Sequence, residues 1–375
     1  VTSFENFAEC PLRYYLRYGV DLKEREEFTF SPVNFGVVLH AVIREVCDEI
    51  KKNGESYYLI SEEKRREMVK RSVAAITDIY QNSILKDSSR NSFMIKRMED
   101  LADRTIWAMG EQLKCGDFVP FVFEHKFNME VGDGDRKQLM SGTIDRVDIC
   151  ENGTDVYVRI IDYKTGKKDF NIVKTYYGID IQLMVYMEAA MKLVAKMRPG
   201  KNVIPAGVFY YNISDPIVSA TTESAEEIED KIKGELRLKG MVNSDKDIAE
   251  KMDNTEGTSL NIPVSRKADG GFDSRRSKVM NTEQFNILGR FVDVRAIDTA
   301  DRIVGGDIRR SPYKDGQFSS CDRCPYGAVC GFSVDLPGCN YRKLKKFDDE
   351  VLWNNIKEGV DENGKKMDTG AEERD

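Results

Sequence analysis

A predominantly apolar run, Val156–Ile161, ends abruptly in Asp162-Tyr163-Lys164. Such a segment predicts a strand that enters a core, and charges at its exit are delivered to a cleft, where they need partners. Just upstream, Asn152-Gly153 separates this strand, 155–164, from a second over 139–150, and that dipeptide is a strong hairpin signal. Centring the turn there sets Asp145 opposite Ile160 and Asp162 opposite Thr143. Asp145 and Asp162 then become diagonal neighbours on one face, with Cα atoms roughly 7–8 Å apart or less. Lys164 shares that face. Two carboxylates so placed can clamp a hard divalent cation. A lysine beside them can stabilise charge developing on a phosphate or orient an attacking water. Tyr163 points the other way, although its backbone carbonyl is available as a ligand. A solvated hairpin edge could carry the same Asp/Lys pair; the core-like run before Asp162 favours the cleft.

Three further features fit the same place, each with a plainer use. Phe121, Phe123 and Phe127 alternate with Glu124, Lys126 and Asn128, a strand pattern that makes Glu124 either a member of a metal shell or a surface residue. His40, one of two histidines, follows Gly36 by one helical turn, and the missing side chain at Gly36 would let another segment approach. It reads as a ligand or as a satisfied structural histidine. Gln182 and Tyr186 share a helix face and could hold a phosphate and stack on a nucleotide, or pack in a core.

The rest of the chain organises around these motifs. Ser3 is a candidate cap for an opening helix that Pro11 ends or restarts; apolar residues at 35, 38, 39, 42, 43, 46 and 50 define an amphipathic helix over 33–50. Helices are expected over 61–82 and 92–114, joined by a polar stretch at 83–91, then one over 181–197 and a buried strand over 203–211. Residues 219–300 read as an elaboration with helical pieces near 223–237 and 281–297 and a turn-rich stretch at 254–275. One domain over 1–345, with its core at about 33–211, is followed by a tail over 346–375 that is partly disordered. The chain opens on Val1, inside what reads as a motif, and a piece of a longer protein is expected.

Fifty-seven Lys+Arg against 64 Asp+Glu give −7, which argues against a simple basic nucleic-acid-binding domain but not against an enzyme whose acids hold metal over DNA. Any DNA path must then use local strips: Lys164, Lys167, Lys168, Arg309, Arg310, or the 342–346 cluster, which also reads as a solvated basic turn. No apolar run approaches the roughly 20 residues that span a bilayer, so no membrane segment is expected. No G-x-x-x-x-G-K-S/T phosphate loop is present. Four of eight cysteines fall within 321–339, a ligand pattern more than a disulfide framework, and the reduced cytoplasm is the expected location.

Taken together, Gly36-x3-His40, Glu124, Gly142-x2-Asp145, Asp162-Tyr163-Lys164 and Gln182-x3-Tyr186 resemble the RecB-type branch of the PD-(D/E)XK nucleases, in the family's order. Phe7-Ala-Glu-Cys10-Pro-Leu-Arg-Tyr-Tyr-Leu-Arg-Tyr18 and Cys321-Asp-Arg-Cys324-Pro-Tyr-Gly-Ala-Val-Cys330 narrow the resemblance to AddB-type nuclease domains, those of the smaller subunit of AddAB helicase-nucleases. It implies an α/β, restriction-endonuclease-like core: a central mixed sheet flanked by helices, with helical elaborations. It further implies a metal-dependent deoxyribonuclease acting on single-stranded ends of unwound duplex in break repair, with an AddA-type partner. His40, Asp145, Asp162 and the Tyr163 carbonyl would ligate Mg2+ or Mn2+, Lys164 would be catalytic, and Glu124, Gln182 and Tyr186 would support them. The alternatives are a non-catalytic DNA-binding scaffold domain, or another iron–sulfur RecB-type nuclease of the CRISPR-adaptation kind.

On spacing alone, Cys321, Cys324 and Cys330 could reach one centre, and Cys339 could complete a local zinc site. The resemblance offers another solution, in which Cys10 closes a 4Fe-4S cluster with Cys321, Cys324 and Cys330 and staples the two ends of the domain. Cys47, Cys115 and Cys150 read as packing residues.

Overall fold

A computed structural model describes residues 1–23, 32–79, 89–131, 137–219 and 224–360. Its centre, among those residues, is a six-stranded sheet whose strand order follows the chain: β1 (Val119–Val131), β2 (Gln138–Asn152), β3 (Asp155–Lys164), β4 (Asn202–Asn212), β5 (Lys239–Asn243) and β6 (Val279–Met280). The β1–β2, β2–β3 and β4–β5 pairs are antiparallel; β3–β4 and β5–β6 are parallel. The expected mixed sheet flanked by helices is what forms. Residues 219–300 do more than elaborate it, since β5 and β6 extend the sheet itself.

Two apolar layers cover the sheet. On one side Val156, Val158 and Ile160 of β3 pack with residues from helices Thr2–Glu9, Gln182–Met197, Thr282–Val304 and Asp349–Glu358. On the other, Tyr157, Ile161 and Tyr163 pack under helices Pro32–Lys52, Glu62–Ile79 and Ser89–Lys114. Burial on both faces explains why β3 reads as a core run rather than as an alternating one. All seven apolar positions expected to line helix Pro32–Lys52 are buried. Leu352 and Ile356 bury helix Asp349–Glu358 against the first layer, so ordered structure continues past 346; residues 361–375 lie outside the described set, as do 80–82 of the expected second helix and 83–88 of the expected polar linker.

Two expectations about register need correction. The turn is centred on Gly153-Thr154, because Asn152 pairs with Asp155 and Gly153 takes φ +60° at the first central position, where glycine is favoured. Arg146 therefore pairs with Ile161 and Asp148 with Arg159. A shift of two residues is a whole pleat repeat and leaves the side chains of the paired stretch, Arg146–Asn152 with Asp155–Ile161, on their expected faces.

The second correction is larger. Phe123 packs against the second layer, whereas Phe127, four residues on and of the same parity, lies in the first. Strict alternation forbids this. Between them Glu124 has φ +47°, one of two left-handed non-glycine residues among those described. The strand turns over at Glu124, and the three phenylalanines do not share a face. On β2, Ile144 and Val147 both sit in the first layer although three apart, so the neighbouring strand is irregular at the same level.

Candidate active site

At that level a ligand atom from each of Glu124 on β1, Asp145 on β2 and His40 on helix Pro32–Lys52 lies within 4.8 Å of the other two. His40 Nδ1 is 3.4 Å from Asp145 Oδ1 and 3.6 Å from Glu124 Oε1. Burial works against a charged imidazole, but hydrogen bonding to Asp145 and Glu124, and then their charges, outweigh it and hold His40 at about 10 rather than 6.5. Regular β2–β3 pairing stops at Arg146–Ile161, and past it the Asp145 Oδ2 atom accepts the Tyr163 amide at 2.6 Å in place of a strand partner. The place past that last pair, where β2 and β3 are no longer joined by the ladder, is here called the notch.

Asp162 stands beside this trio, facing Lys164: its Oδ2 is 2.5 Å from Lys164 Nζ, in ionic contact without hydrogen-bond alignment. Burial, then the charge on Asp145, push its carboxyl up to about 6 against the pull of Lys164. Lys164 Nζ also donates to Gln182 Oε1 at 2.9 Å, and Gln182 Nε2 donates to the Tyr186 hydroxyl at 2.9 Å. The two residues on one helix face thus form a relay to Lys164. A Cβ at Gly142 would stand 2.8 Å from the Phe127 ring and 3.0 Å from that of Tyr186, so the glycine is what admits the ring pair. Gly36 has no such need, since a Cβ there meets Thr165 at an ordinary 3.6 Å. The Tyr163 ring turns into the second layer, edge-on to His40.

Cys10 sits at an extended break between helices Thr2–Glu9 and Pro11–Tyr14, where Pro11 starts the second as expected. Its side chain lines one pocket with Cys321, Cys324 and Cys330, among Leu12, Leu16, Pro312, Tyr326 and Phe332. Cys339 is buried and is not among the lining residues. Burial, and then the neighbouring thiols, push the Cys321 and Cys330 thiols up.

Residues 1–331 match the PD-(D/E)XK nuclease superfamily. The chain belongs to that superfamily. It is also 33% identical, over an alignment of 379 positions that covers 98% of the chain, to the B subunit of the ATP-dependent helicase/deoxyribonuclease of a Thermoanaerobacter species. It is 34% identical over 386 residues to the protein of that name in Caldanaerobacter subterraneus and 33% over 374 residues to that in Clostridium acetobutylicum. The chain spans about a third of the length of these curated relatives. The resemblance carried by the motifs is borne out at the level of the family.

This PD-(D/E)XK chain also contains supports that no motif announced. Beneath the notch Asp148, fully buried, accepts from Arg146 at 2.7 and 2.6 Å and from Arg159 at 2.8 Å. Burial alone would raise Asp148, but the two guanidiniums hold it below its usual range. Asp148→Ala would strand two buried cations, and a loss of about 3–5 kcal/mol in denaturant unfolding is expected. A loss under about 1 kcal/mol would mean that the triad is not what braces β2 and β3. A second support is Glu5, whose Oε1 accepts the Ile181 and Gln182 amides at 3.0 Å each; burial pushes its carboxyl up to about 7.

The candidate basic strips fare unevenly. Arg342 is turned inward rather than solvated: it donates to the carbonyls of Ala8 at 2.5 Å, Glu9 at 3.2 Å and Ser311 at 3.0 Å, tying the C-terminal segment to the helix that precedes Cys10. Lys168 pairs with Asp180 at 3.0 Å and Arg309 with Asp307, while Lys167 is exposed.

Proposed function

We propose that this chain is the nuclease domain of an AddB-type protein, a Mg2+- or Mn2+-dependent deoxyribonuclease that processes single-stranded ends during double-strand break repair in the cytoplasm. The observation that carries this reading is the meeting of His40, Glu124 and Asp145 within 4.8 Å beside Lys164 and Asp162. Oxygen and imidazole donors without a thiol suit a hard cation. Held by these three, with Asp162 and the Tyr163 carbonyl to fill its shell, the cation would supply Lewis-acid stabilisation and a more acidic water. Lys164 donates to a phosphate oxygen of the strand; Gln182 accepts from Lys164 and fixes where the ammonium points, and Tyr186 fixes the Gln182 amide. Lys167 offers an exposed phosphate contact. The relatives are named as one component of a helicase/deoxyribonuclease, which supports a helicase-type partner, here of AddA type. Among the described residues no helix is long and apolar enough to cross a membrane.

The thiol pocket fits a 4Fe-4S cluster held by Cys10, Cys321, Cys324 and Cys330. All four are free and share an apolar pocket. Among the described residues no three cysteine sulfurs lie within 4.8 Å of one another, whereas tetrahedral zinc with Zn–S near 2.3 Å would place all four about 3.8 Å apart. The cluster's contribution is structural, joining the two ends of the domain.

The test is digestion of end-labelled single-stranded DNA by chelator-treated intact protein with and without added Mg2+. The same titration should release about one proton per site near neutral pH, because the cation displaces the His40 proton. The sign follows from a raised pKa. In the metal-free protein the stabilisation from charged His40 is complete below its unfolded value of 6.5 and is lost as pH rises through about 10. Metal affinity therefore rises with pH across that window. Digestion that ignores Mg2+, or binding without proton release, would contradict the reading.

A further inference from the structure

Helix Gln182–Met197 carries the Lys164 relay but has no side-chain cap of its own: its N-cap residue is Ile181. The cap comes from the opposite end of the fold. Glu5 Oε1, on helix Thr2–Glu9, takes both the Ile181 and the Gln182 amides at 3.0 Å. A carboxylate at a helix N-terminus satisfies otherwise orphaned donors and complements the helix dipole. Here it also fixes the first turn, from which Gln182 reaches Lys164. The Glu5 helix is anchored by buried Val1, Phe4 and Phe7 and runs directly into Cys10.

We infer that Glu5 is a positioning residue for cleavage, through which the segment that carries Cys10 sets the placement of Gln182 and hence of the Lys164 ammonium. This rests on the reading of Lys164 as a participant in cleavage. The feature distinguishes itself from an ordinary helix cap by its target. A cap lost elsewhere on a helix lowers stability; a cap lost at this turn moves a group that holds the reacting lysine.

The experiment is steady-state digestion of single-stranded DNA by the intact protein with Mg2+. Glu5→Ala should lower kcat on the order of 10- to 100-fold, as sub-ångström to ångström misplacement does, while KM changes less than about twofold. Glu5→Gln should recover most of the loss, because its amide oxygen can accept both backbone donors. In a Gln182→Ala background, Glu5→Ala should cost little more, since the two changes act through one contact. If Glu5→Ala does not fold, Glu5→Asp, whose carboxylate is too short to reach both amides, is read by the same criteria. Parental kcat in the Glu5 variant, or an equal loss with and without Gln182, would overturn the inference. Lys164→Ala in the same assay separates the failures. If it too keeps parental turnover, the reading of the site falls with it; if it is slow while Glu5→Ala is not, only the role of Glu5 is lost.

Discussion

Lys164→Ala is expected to cut DNA turnover by on the order of 10²-fold or more while leaving divalent-cation binding nearly intact, as removal of a transition-state donor does. The ammonium lies on β3 outside the His40, Glu124 and Asp145 trio, so its loss removes no direct ligand of that group. It does remove the partner of Asp162, whose carboxyl already sits near 6 and would move higher. Part of any defect at neutral pH would then be a protonated Asp162. Measuring from about pH 7 to about pH 9 separates the two causes: the defect from the missing donor persists at the alkaline end, and the defect from protonation fades. The comparison variant is Asp145→Ala, which should lose cation binding and cleavage together. Both variants should still bind DNA, because phosphate contacts elsewhere carry most of the affinity. Parental turnover in the Lys164 variant at every pH would leave that residue without a chemical role.

The second large effect is expected at Cys10. Joining Cys10 to Cys321 through a shared centre closes a loop of more than 300 residues. The chain-entropy estimate for such a closure is about 5 kcal/mol. Cys10→Ser should therefore lower iron content and melting temperature together. Activity should fall with them, since the same helix carries Glu5. Arg342 resists part of the loosening by holding the Ala8 and Glu9 carbonyls, so the ends separate less than the entropy term alone implies. Full iron and sulfide content with an unchanged melting temperature would remove Cys10 from the ligand set.

What the sequence revealed divides along a physical line. β3 and the His40 helix were legible because both carry long apolar patterns, and β4 for the same reason. β5 and β6 were not, since segments of five and two residues are too short to display a period. The residues that meet at the notch could be named from their types and spacing. Their supports could not. The Arg146–Asp148–Arg159 triad was hidden by the turn: a loop centred one residue early sets Asp148 opposite Tyr157, and only the observed register brings it to Arg159. Glu5 was hidden by distance, with its partners 176 and 177 positions away. Lys164 was expected to share a face with two carboxylates in a cleft; that it is held by Gln182 follows from how helix Gln182–Met197 packs against the sheet, which no local pattern encodes.

The turnover of β1 at Glu124 bears on how the protein fails. Because the strand gives Phe123 to the second layer and Phe127 to the first, with Glu124 between them, the carboxylate sits where the strand passes from one layer to the other. His40 hangs from one layer and the Lys164 relay from the other. The expected consequence is that a chain with only half its interior intact has no cutting centre at all. If the proposed reading of the site holds, damage or partial unfolding then yields silence rather than indiscriminate cleavage.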